Sequence, residues 1–361
     1  MRLLGDENLA CATRLFSPLG ELRLLPGRRI AREDVTHCDA LLLRSVTKVT
    51  AELIRNSGLR FVGTATIGTD HIDLQALRDA GIVFAAAPGC NAEAVADYVL
   101  SAVAHWCEAK SRRLELLRIG LIGCGHVGQA VERRFSALGC EVLVYDPPRA
   151  QRGELASIRF ANLFDCDVVS LHVPLSQHGP HATRGMIAQR ELQQMQAGQC
   201  LINAARGGVI DEKALKARLA QPDAPDAILD TWENEPEIDA ELLARCFLAT
   251  PHIAGYSEQG RIRGSWMIYQ ALCRFTGRPV EQTLTELLPP CQAMPSSLHT
   301  LEQALKTAYN IVEDDRKLRE LVKCPGGFDR LRRYYPMRRE FSSLQITSAD
   351  PSIKAAGFTA L

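Results

Sequence analysis

"RIGLIGCGHVGQA", Arg118 to Ala130, is the stretch from which the fold can be read. It opens with the apolar run of a buried strand. Gly123, Gly125 and Gly128 then stand in a G-x-G-x-x-G pattern. Residues 127–138 have helical character, and the next apolar run, "EVLVYD" (141–146), ends in Asp146. Strand, glycine turn, helix and a second strand closing on an acid make up a unit that binds a dinucleotide. Each position has a physical task. Gly123 permits the tight turn. Gly125 lets the backbone approach a pyrophosphate at the helix N-terminus, where N–H groups lack partners, and Gly128 lets helix and strand pack closely. Asp146 can accept hydrogen bonds from both ribose hydroxyls, and its charge repels a 2′-phosphate, which favours NAD over NADP.

Similar apolar runs extend in both directions. Upstream, "ALLLR" (40–44), "RFVGTA" (60–65) and "GIVFAA" (81–86) read as strands, with "LQALRDA" (74–80) as a helix. Downstream follow "DVVSLH" (167–172), "QCLINAA" (199–205), "DAILD" (226–230) and "CFLAT" (246–250). Continuous apolar runs suit parallel strands covered on both faces. The expected class is therefore α/β, with doubly wound parallel sheets. Between the two series, Ala92, Val95, Ala96, Val99, Val103 and Trp106 recur at helical spacing and predict a long amphipathic helix over 92–110, suited to bridging two domains. From Pro289 the composition changes. "LPPCQAMPSS" reads as a linker, Leu301, Leu305 and Ala308 mark a short helix, and "FDRLRRYYPMRREF" (328–341) is rich in arginine.

Parallel sheets bind ligands beyond the carboxyl ends of their strands. Three predicted strands carry polar residues there: "LINAARGG" delivers Arg206, "AILDTWENE" delivers Asp230 and Glu235, and "FLATPHIAG" delivers His252 behind Pro251. Arg206 offers a planar fork to a substrate carboxylate and the adjacent C2 oxygen. His252 suits a general base that takes the hydroxyl proton as hydride leaves C2. Glu235 would orient the ring and favour its protonated form. Asp230 lies closer to the sheet, suited to the nicotinamide ribose or amide. His172 stands at another strand end, and cofactor-lining and structural roles are both open to it. Upstream, Arg44, Ser45, Thr47 and Lys48 cluster after "ALLL", with Thr64 and Thr66 on the same edge, and offer cations and hydroxyls to a phosphate dianion.

The bulk numbers exclude several classes. Lys+Arg and Asp+Glu both number 42, so no net charge draws the chain to nucleic acid or an anionic membrane. Acids interrupt the N-terminus at Asp6 and Glu7, unlike a signal peptide, and no apolar run suffices to span a bilayer. Twelve cysteines are scattered without zinc spacing or a compact disulfide frame, which predicts free thiols, a cytoplasmic setting and no metal site.

The segments "GCGHVG", "INAARGGVID", "DTWENEP" and "TPHIAG" together resemble the D-isomer-specific 2-hydroxyacid dehydrogenases. "GDENL" (5–9), "RSVTKV" (44–49), "FVGTATIGTDHID" (61–73), "AAPGCNAEAVADYV" (86–99), "YDPPRA" (145–150), "HIAGYSEQG" (252–260) and the arginine-rich tail resemble one branch of that family. That branch oxidises 4-phospho-D-erythronate to 2-oxo-3-hydroxy-4-phosphobutanoate with NAD, in pyridoxal 5′-phosphate synthesis. The resemblance implies a flavodoxin-like substrate domain (1–93 with 257–285), a Rossmann NAD domain (94–256) and a small C-terminal α+β domain (286–361) that makes a homodimer. It implies catalytic roles for Arg206, Glu235 and His252, and substrate contacts at Ser45, Thr66 and Tyr256. Cofactor contacts are implied at His126, Val127, Asp146, Ala204, Ala205, Arg206, Asp230 and Gly255. Some relatives carry Thr near Val173, and "KSRRLELLRIG" also departs from the usual pattern. The catalytic trio would equally serve a phosphoglycerate-type dehydrogenase, and the cofactor site alone would serve a non-catalytic NAD-sensing protein. "RSVTKV" and the tail separate the first rival, and turnover separates the second.

Overall fold

In the computed structural model, which describes residues 1–360, the chain divides into two compact units. One is Met1–Asn91 with Ser257–Pro290, the other Ala92–Tyr256 with Cys291–Leu361. The first is built on five parallel strands: β1 (Arg2–Asp6), β2 (Glu21–Leu25), β3 (Ala40–Leu43), β4 (Phe61–Thr64) and β5 (Val83–Ala85). Their order, β2-β1-β3-β4-β5, is the flavodoxin-like one. All four residues of β3 and of β4 are buried, which is why those strands read as unbroken apolar runs. The helix Glu258–Thr276 returns to this unit and places Ile268, Tyr269 and Leu272 in one of its two cores. Ser257 caps its start by accepting from the Gly260 N–H at 2.9 Å.

The second unit holds six parallel strands: β6 (Arg118–Ile122), β7 (Glu141–Tyr145), β8 (Val168–Leu171), β9 (Cys200–Asn203), β10 (Asp226–Leu229) and β11 (Leu248–Ala249). Their order is β11-β10-β9-β8-β6-β7. The strand that would lie outside β7 in a full Rossmann sheet is reduced here. Ile158 donates one bond to the Val144 carbonyl at 3.0 Å, and the ladder goes no further. Strand order reverses between β6 and β8, so the glycine loop after β6 sits at the switch point where doubly wound folds bind ligands. The predicted long helix spans Ala92–Ala109. Thirteen of its eighteen residues are buried, so it is a core element rather than a surface one.

The stretch read as a linker contains a strand, β12 (Gln292–Ala293). It pairs with β13 (Leu344–Ile346), which pairs with β14 (Thr359–Ala360). Strands of two or three residues cannot close a core alone. Leu298, Leu305, Tyr309, Phe341 and Ile346 accordingly join the core that includes Val99, Val103 and Val131. Residues 291–360 thus have their own sheet but share their apolar interior with the NAD-type sheet. Among the described residues no helix is long and apolar enough to cross a membrane, no group of His, Cys, Asp and Glu could hold a metal ion, and all twelve cysteines are free.

Candidate active site

The glycine loop has the geometry its sequence requires. Gly123 adopts φ +87°, and a Cβ there would lie 2.7 Å from Val173 Cγ1 and 2.8 Å from the His172 carbonyl oxygen. A Cβ on Gly128 would lie 2.2 Å from the Gly123 carbonyl oxygen. By contrast, a Cβ on Gly125 would meet nothing within 4 Å. Gly125 is therefore spared a side chain for the sake of open space, not packing. It precedes the helix His126–Ala137, whose start has no side-chain cap. Gly125 and His126 are exposed and Val127 half-buried, so the first N–H groups of the helix border that space. Asp146, just past β7, accepts from the Cys124 N–H at 2.8 Å and the Arg149 N–H at 3.0 Å. Each carboxylate oxygen keeps further lone-pair capacity for ribose hydroxyls.

His172 lies beside this loop. Its Nε2 is 3.0 Å from Ser170 Oγ, while its buried Nδ1 has no protein partner. Burial pushes its pKa down to about 3, so it stays neutral and cannot serve as a base near pH 7. A buried polar atom without a partner, an open glycine and uncapped helix N–H groups together fit a dinucleotide.

Register explains how the distant candidates come together. Asn203 of β9, Leu229 of β10 and Ala249 of β11 form one row across the sheet. Asp230 follows that row by one residue; Arg206 and His252 each follow it by three. Two strand spacings put their departure points about 9–10 Å apart. Asn203 shapes the first loop, donating to the Arg206 carbonyl at 2.9 Å and accepting from the Ala205 N–H at 3.1 Å. A Cβ on Gly207 would lie 1.9 Å from the Trp232 carbonyl oxygen, so this loop lies flush against the segment that leads to Glu235. Arg206 itself is half-buried, and its Nη1 donates to the Ala205 carbonyl at 2.7 Å.

Asp230 is committed to the His252 loop. It is 1% exposed and accepts from Thr250 Oγ1 (2.7 Å), the Ile253 N–H (2.7 Å) and the Ala254 N–H (3.0 Å). Burial raises its pKa, and the His252 charge and these three donors offset only part of the rise. Because Thr250 gives its proton to Asp230, the Tyr98 hydroxyl 2.8 Å away must donate to Thr250. His252 takes φ +56°, a left-handed backbone that costs a non-glycine residue about 1–3 kcal/mol. Its N–H bonds the Asp230 carbonyl at 2.7 Å.

Glu235 completes the arrangement. Its Oε2 accepts from His252 Nδ1 at 2.7 Å, and its Oε1 from the Trp232 N–H at 2.9 Å. Burial pushes the Glu235 carboxyl up, but His252, the Trp232 amide and the nearby Arg332 charge outweigh it, and its pKa falls below the usual value. The ionised carboxylate is thus the resting form near pH 7. With Nδ1–H donated to it, neutral His252 carries its lone pair on Nε2. The pair can therefore accept a proton at one defined atom.

Two arginines of the tail, not singled out in the sequence, reach this region. Arg332 Nη1 lies 3.8 Å from Glu235 Oε2. Arg338 is buried, donates to the Ala94 and Ala254 carbonyls at 3.1 and 2.6 Å, and stacks 4.1 Å from the centre of the Tyr309 ring. It braces the loop that carries His252. Clustered arginines signal charge, but nothing local to them points to these partners.

Of the other expected contacts in this unit, Ala204, Val173, Gly255 and Tyr256 are half-buried and Ala205 is buried. In the first unit, Ser45 and Lys48 are exposed. Arg44, expected to meet an anionic substrate, pairs through Nε with the fully buried Asp6 at 3.3 Å. Thr66 donates to the Gly68 carbonyl at 2.9 Å and lies 2.9 Å from the Thr64 hydroxyl.

Comparison with known proteins agrees with this chemistry. Residues 94–254 match the family model "D-isomer specific 2-hydroxyacid dehydrogenase, NAD binding domain", and residues 292–361 match "Domain of unknown function (DUF3410)". The erythronate-4-phosphate dehydrogenase of Marinobacter nauticus is 44% identical, with 99% of each chain covered. That of Cronobacter sakazakii is 40% identical over 98% of this chain and 96% of its own. Among solved structures, the NAD⁺-bound 3-phosphoglycerate dehydrogenase of Entamoeba histolytica superposes with a TM-score of 0.64 at 25% identity, covering 78% of this chain and 97% of its own.

Proposed function

The chain belongs to the erythronate-4-phosphate dehydrogenase family of D-isomer-specific 2-hydroxyacid dehydrogenases, and from that premise we propose that it oxidises 4-phospho-D-erythronate to 2-oxo-3-hydroxy-4-phosphobutanoate, on the route to pyridoxal 5′-phosphate. NAD, held by the glycine loop and Asp146, supplies the hydride acceptor for C2. Residues 125–127 contribute backbone N–H groups to its pyrophosphate, and Val173, Ala204, Ala205 and Gly255 line its nicotinamide end. Arg206 holds the substrate carboxylate. His252 Nε2 takes the C2 hydroxyl proton, and Glu235 balances the imidazolium that forms. Tyr256, Ser45, Thr66 and Lys48 contact the rest of the substrate. Arg44, whose Nε pairs with Asp6, joins them.

The observation that carries this reading is the 2.7 Å bond from His252 Nδ1 to Glu235, which leaves Nε2 available. A non-catalytic NAD-sensing protein would have no need of that pair. A homodimer through the C-terminal domain (286–361) completes the proposal. Tyr334 and Met337 there are 71% and 54% exposed, apolar area that a second copy would cover. The twelve free cysteines favour the cytoplasm. The test is a panel of phosphorylated and unphosphorylated 2-hydroxy acids, followed by NADH absorbance. The 4-phosphorylated four-carbon acid should have the highest kcat/KM. A preference for 3-phosphoglycerate, or no turnover of any acid, would refute the proposal.

A further inference from the structure

The arginine-rich stretch 328–341 is not used by the reaction as described. Within it, Arg332 lies in the last turn of the helix Gly327–Arg333. Its Nη1 lies 3.8 Å from Glu235 Oε2, the oxygen that already accepts from His252 Nδ1 at 2.7 Å. Its guanidinium carbon lies 6.0 Å from the centre of the Tyr256 ring and 5.9 Å from that of Phe328. The side chain is only 24% exposed, and its buried Nε has no partner. The residue falls outside the segment matching the dehydrogenase NAD-binding domain and inside the segment matching the second family model.

We propose that Arg332 is a positioning residue that acts on His252 through Glu235, so that the C-terminal segment completes the catalytic centre. The proposal rests on the dehydrogenase reading above. Two effects follow from one oxygen serving two cations. The guanidinium restrains the carboxylate, keeping Oε2 turned toward the imidazole. It also draws on the same negative charge, so the imidazolium is held less tightly. Oxidation needs the neutral imidazole, and Arg332 therefore widens the pH range over which the base is ready.

The other charged and titratable groups around the pair do not act in the same way. Asp230, after β10, is bonded to Thr250, Ile253 and Ala254. Glu212, from the helix Glu212–Leu219, accepts from the Glu233 N–H at 2.6 Å, and burial lifts its pKa to about 7. Asp230 favours the imidazolium and Arg332 opposes it, while Glu212 faces Glu233 and Glu235. Tyr256 lies against Arg332 itself, and Arg206 follows the end of β9 by three residues.

The experiment compares wild type, Arg332→Gln and Arg332→Lys as full chains. NMR reads the His252 titration, assigned with His252→Gln, and oxidative pH–rate profiles accompany it. In Arg332→Gln the His252 titration and the acid limb of kcat/KM should move up by about one pH unit, as one nearby charge at intermediate dielectric would require. Arg332→Lys should return most of the shift, and NAD affinity should not change. An unmoved titration, with a higher KM only for phosphorylated acids, would overturn the proposal and make Arg332 a phosphate contact. A lysine variant as displaced as the glutamine one would overturn it in favour of packing on Tyr256 and Phe328. The NMR readout needs no turnover, so a wild-type protein inert toward every acid would refute the functional reading alone.

Discussion

Glu235→Gln is the substitution that most directly tests the proton path. The carboxylate accepts twice, from His252 Nδ1 at 2.7 Å and from the Trp232 N–H at 2.9 Å. A glutamine has one accepting oxygen and one donating nitrogen, so it cannot satisfy both. If its oxygen faces His252, the amide NH₂ confronts the Trp232 N–H, at a cost of about 1–3 kcal/mol for the orphaned donor. If it faces Trp232, the NH₂ donates to Nδ1 and drives the imidazole proton onto Nε2, where the substrate proton should go. Either state removes the charge opposite the imidazolium. A charge-assisted bond of this kind contributes about 1.5–3 kcal/mol, and one pKa unit is about 1.36 kcal/mol, so the base should weaken by about 1–2 units. In the oxidative direction the rate rises as the base deprotonates. The acid limb of kcat/KM should therefore move to lower pH by that amount. The plateau should fall by about 10²–10⁴, since the lone pair is less often on Nε2 and the base is weaker. The assay is NADH formation from 4-phospho-D-erythronate across pH 5–9, with NAD affinity measured separately. A limb displaced upward, or an unchanged plateau, would refute the assignment of Glu235 as the partner that orients His252.

The glycine loop and a buried acid supply two further tests. Gly128→Ala places a methyl 2.2 Å from the Gly123 carbonyl oxygen and should cost about 1–3 kcal/mol in thermal unfolding, whereas Gly125→Ala enters open space and should leave Tm unchanged. Both should weaken NAD at least about tenfold, the second because its methyl occupies the approach of the pyrophosphate; unaltered affinity in Gly125→Ala would refute the cradle. Asp97 is fully buried, and burial lifts its pKa to about 7 despite Arg134, the Phe341 N–H and Arg338. Its unfolded value is about 3.9, so between the two the folded state binds more protons and this group's contribution to stability declines as pH rises. Asp97→Asn should remove that decline: Tm of the variant minus Tm of wild type should increase from pH 5 to pH 8, and a flat or falling difference would show that Arg134 keeps Asp97 ionised throughout.

What the sequence made legible was local. β3, β4, β6, β8 and β9 announce themselves because burial on both faces demands consecutive apolar residues. The glycine loop and the strand-end residues follow from the same periodicity plus the rule that ligands bind past the carboxyl ends of strands. β1 and β2 carry no such signature. β1 runs into Asp6, and β2, an edge strand, carries Glu21 and Arg23 among its leucines, so it lacks the buried signature. β12 reads as linker because its two residues lie in a proline- and serine-rich stretch and gain strand geometry only by pairing with β13, about fifty residues on. Arginines show the same difficulty: in sequence an arginine looks solvated or anion-seeking, yet Arg44 meets Asp6 and Arg338 meets Ala94, Ala254 and Tyr309. Partners so far apart in sequence leave no periodic trace.

The strained backbone at His252 and the buried charge at Asp230 explain each other. A left-handed residue at φ +56° is held only if its surroundings over-determine it. Here the His252 N–H bonds the Asp230 carbonyl, and the next two N–H groups bond the Asp230 carboxylate. Three donors from one short loop, with Thr250 as a further one, converge on one residue. A charge buried at 1% exposure would be costly alone, but each donor offsets part of that cost while fixing the turn. The turn sets where the imidazole leaves the backbone, and Glu235 then sets its rotation and tautomer. Arg338 holds the Ala254 carbonyl from the opposite side, so the loop is gripped through its amides by β10 and through a carbonyl by the C-terminal segment. A neutral residue at position 230 would leave those amides underbonded and let the loop relax toward ordinary φ, moving His252 away from Glu235 with the catalytic side chains themselves unchanged. The position of the base is therefore a property of the buried acid beneath it as much as of the histidine.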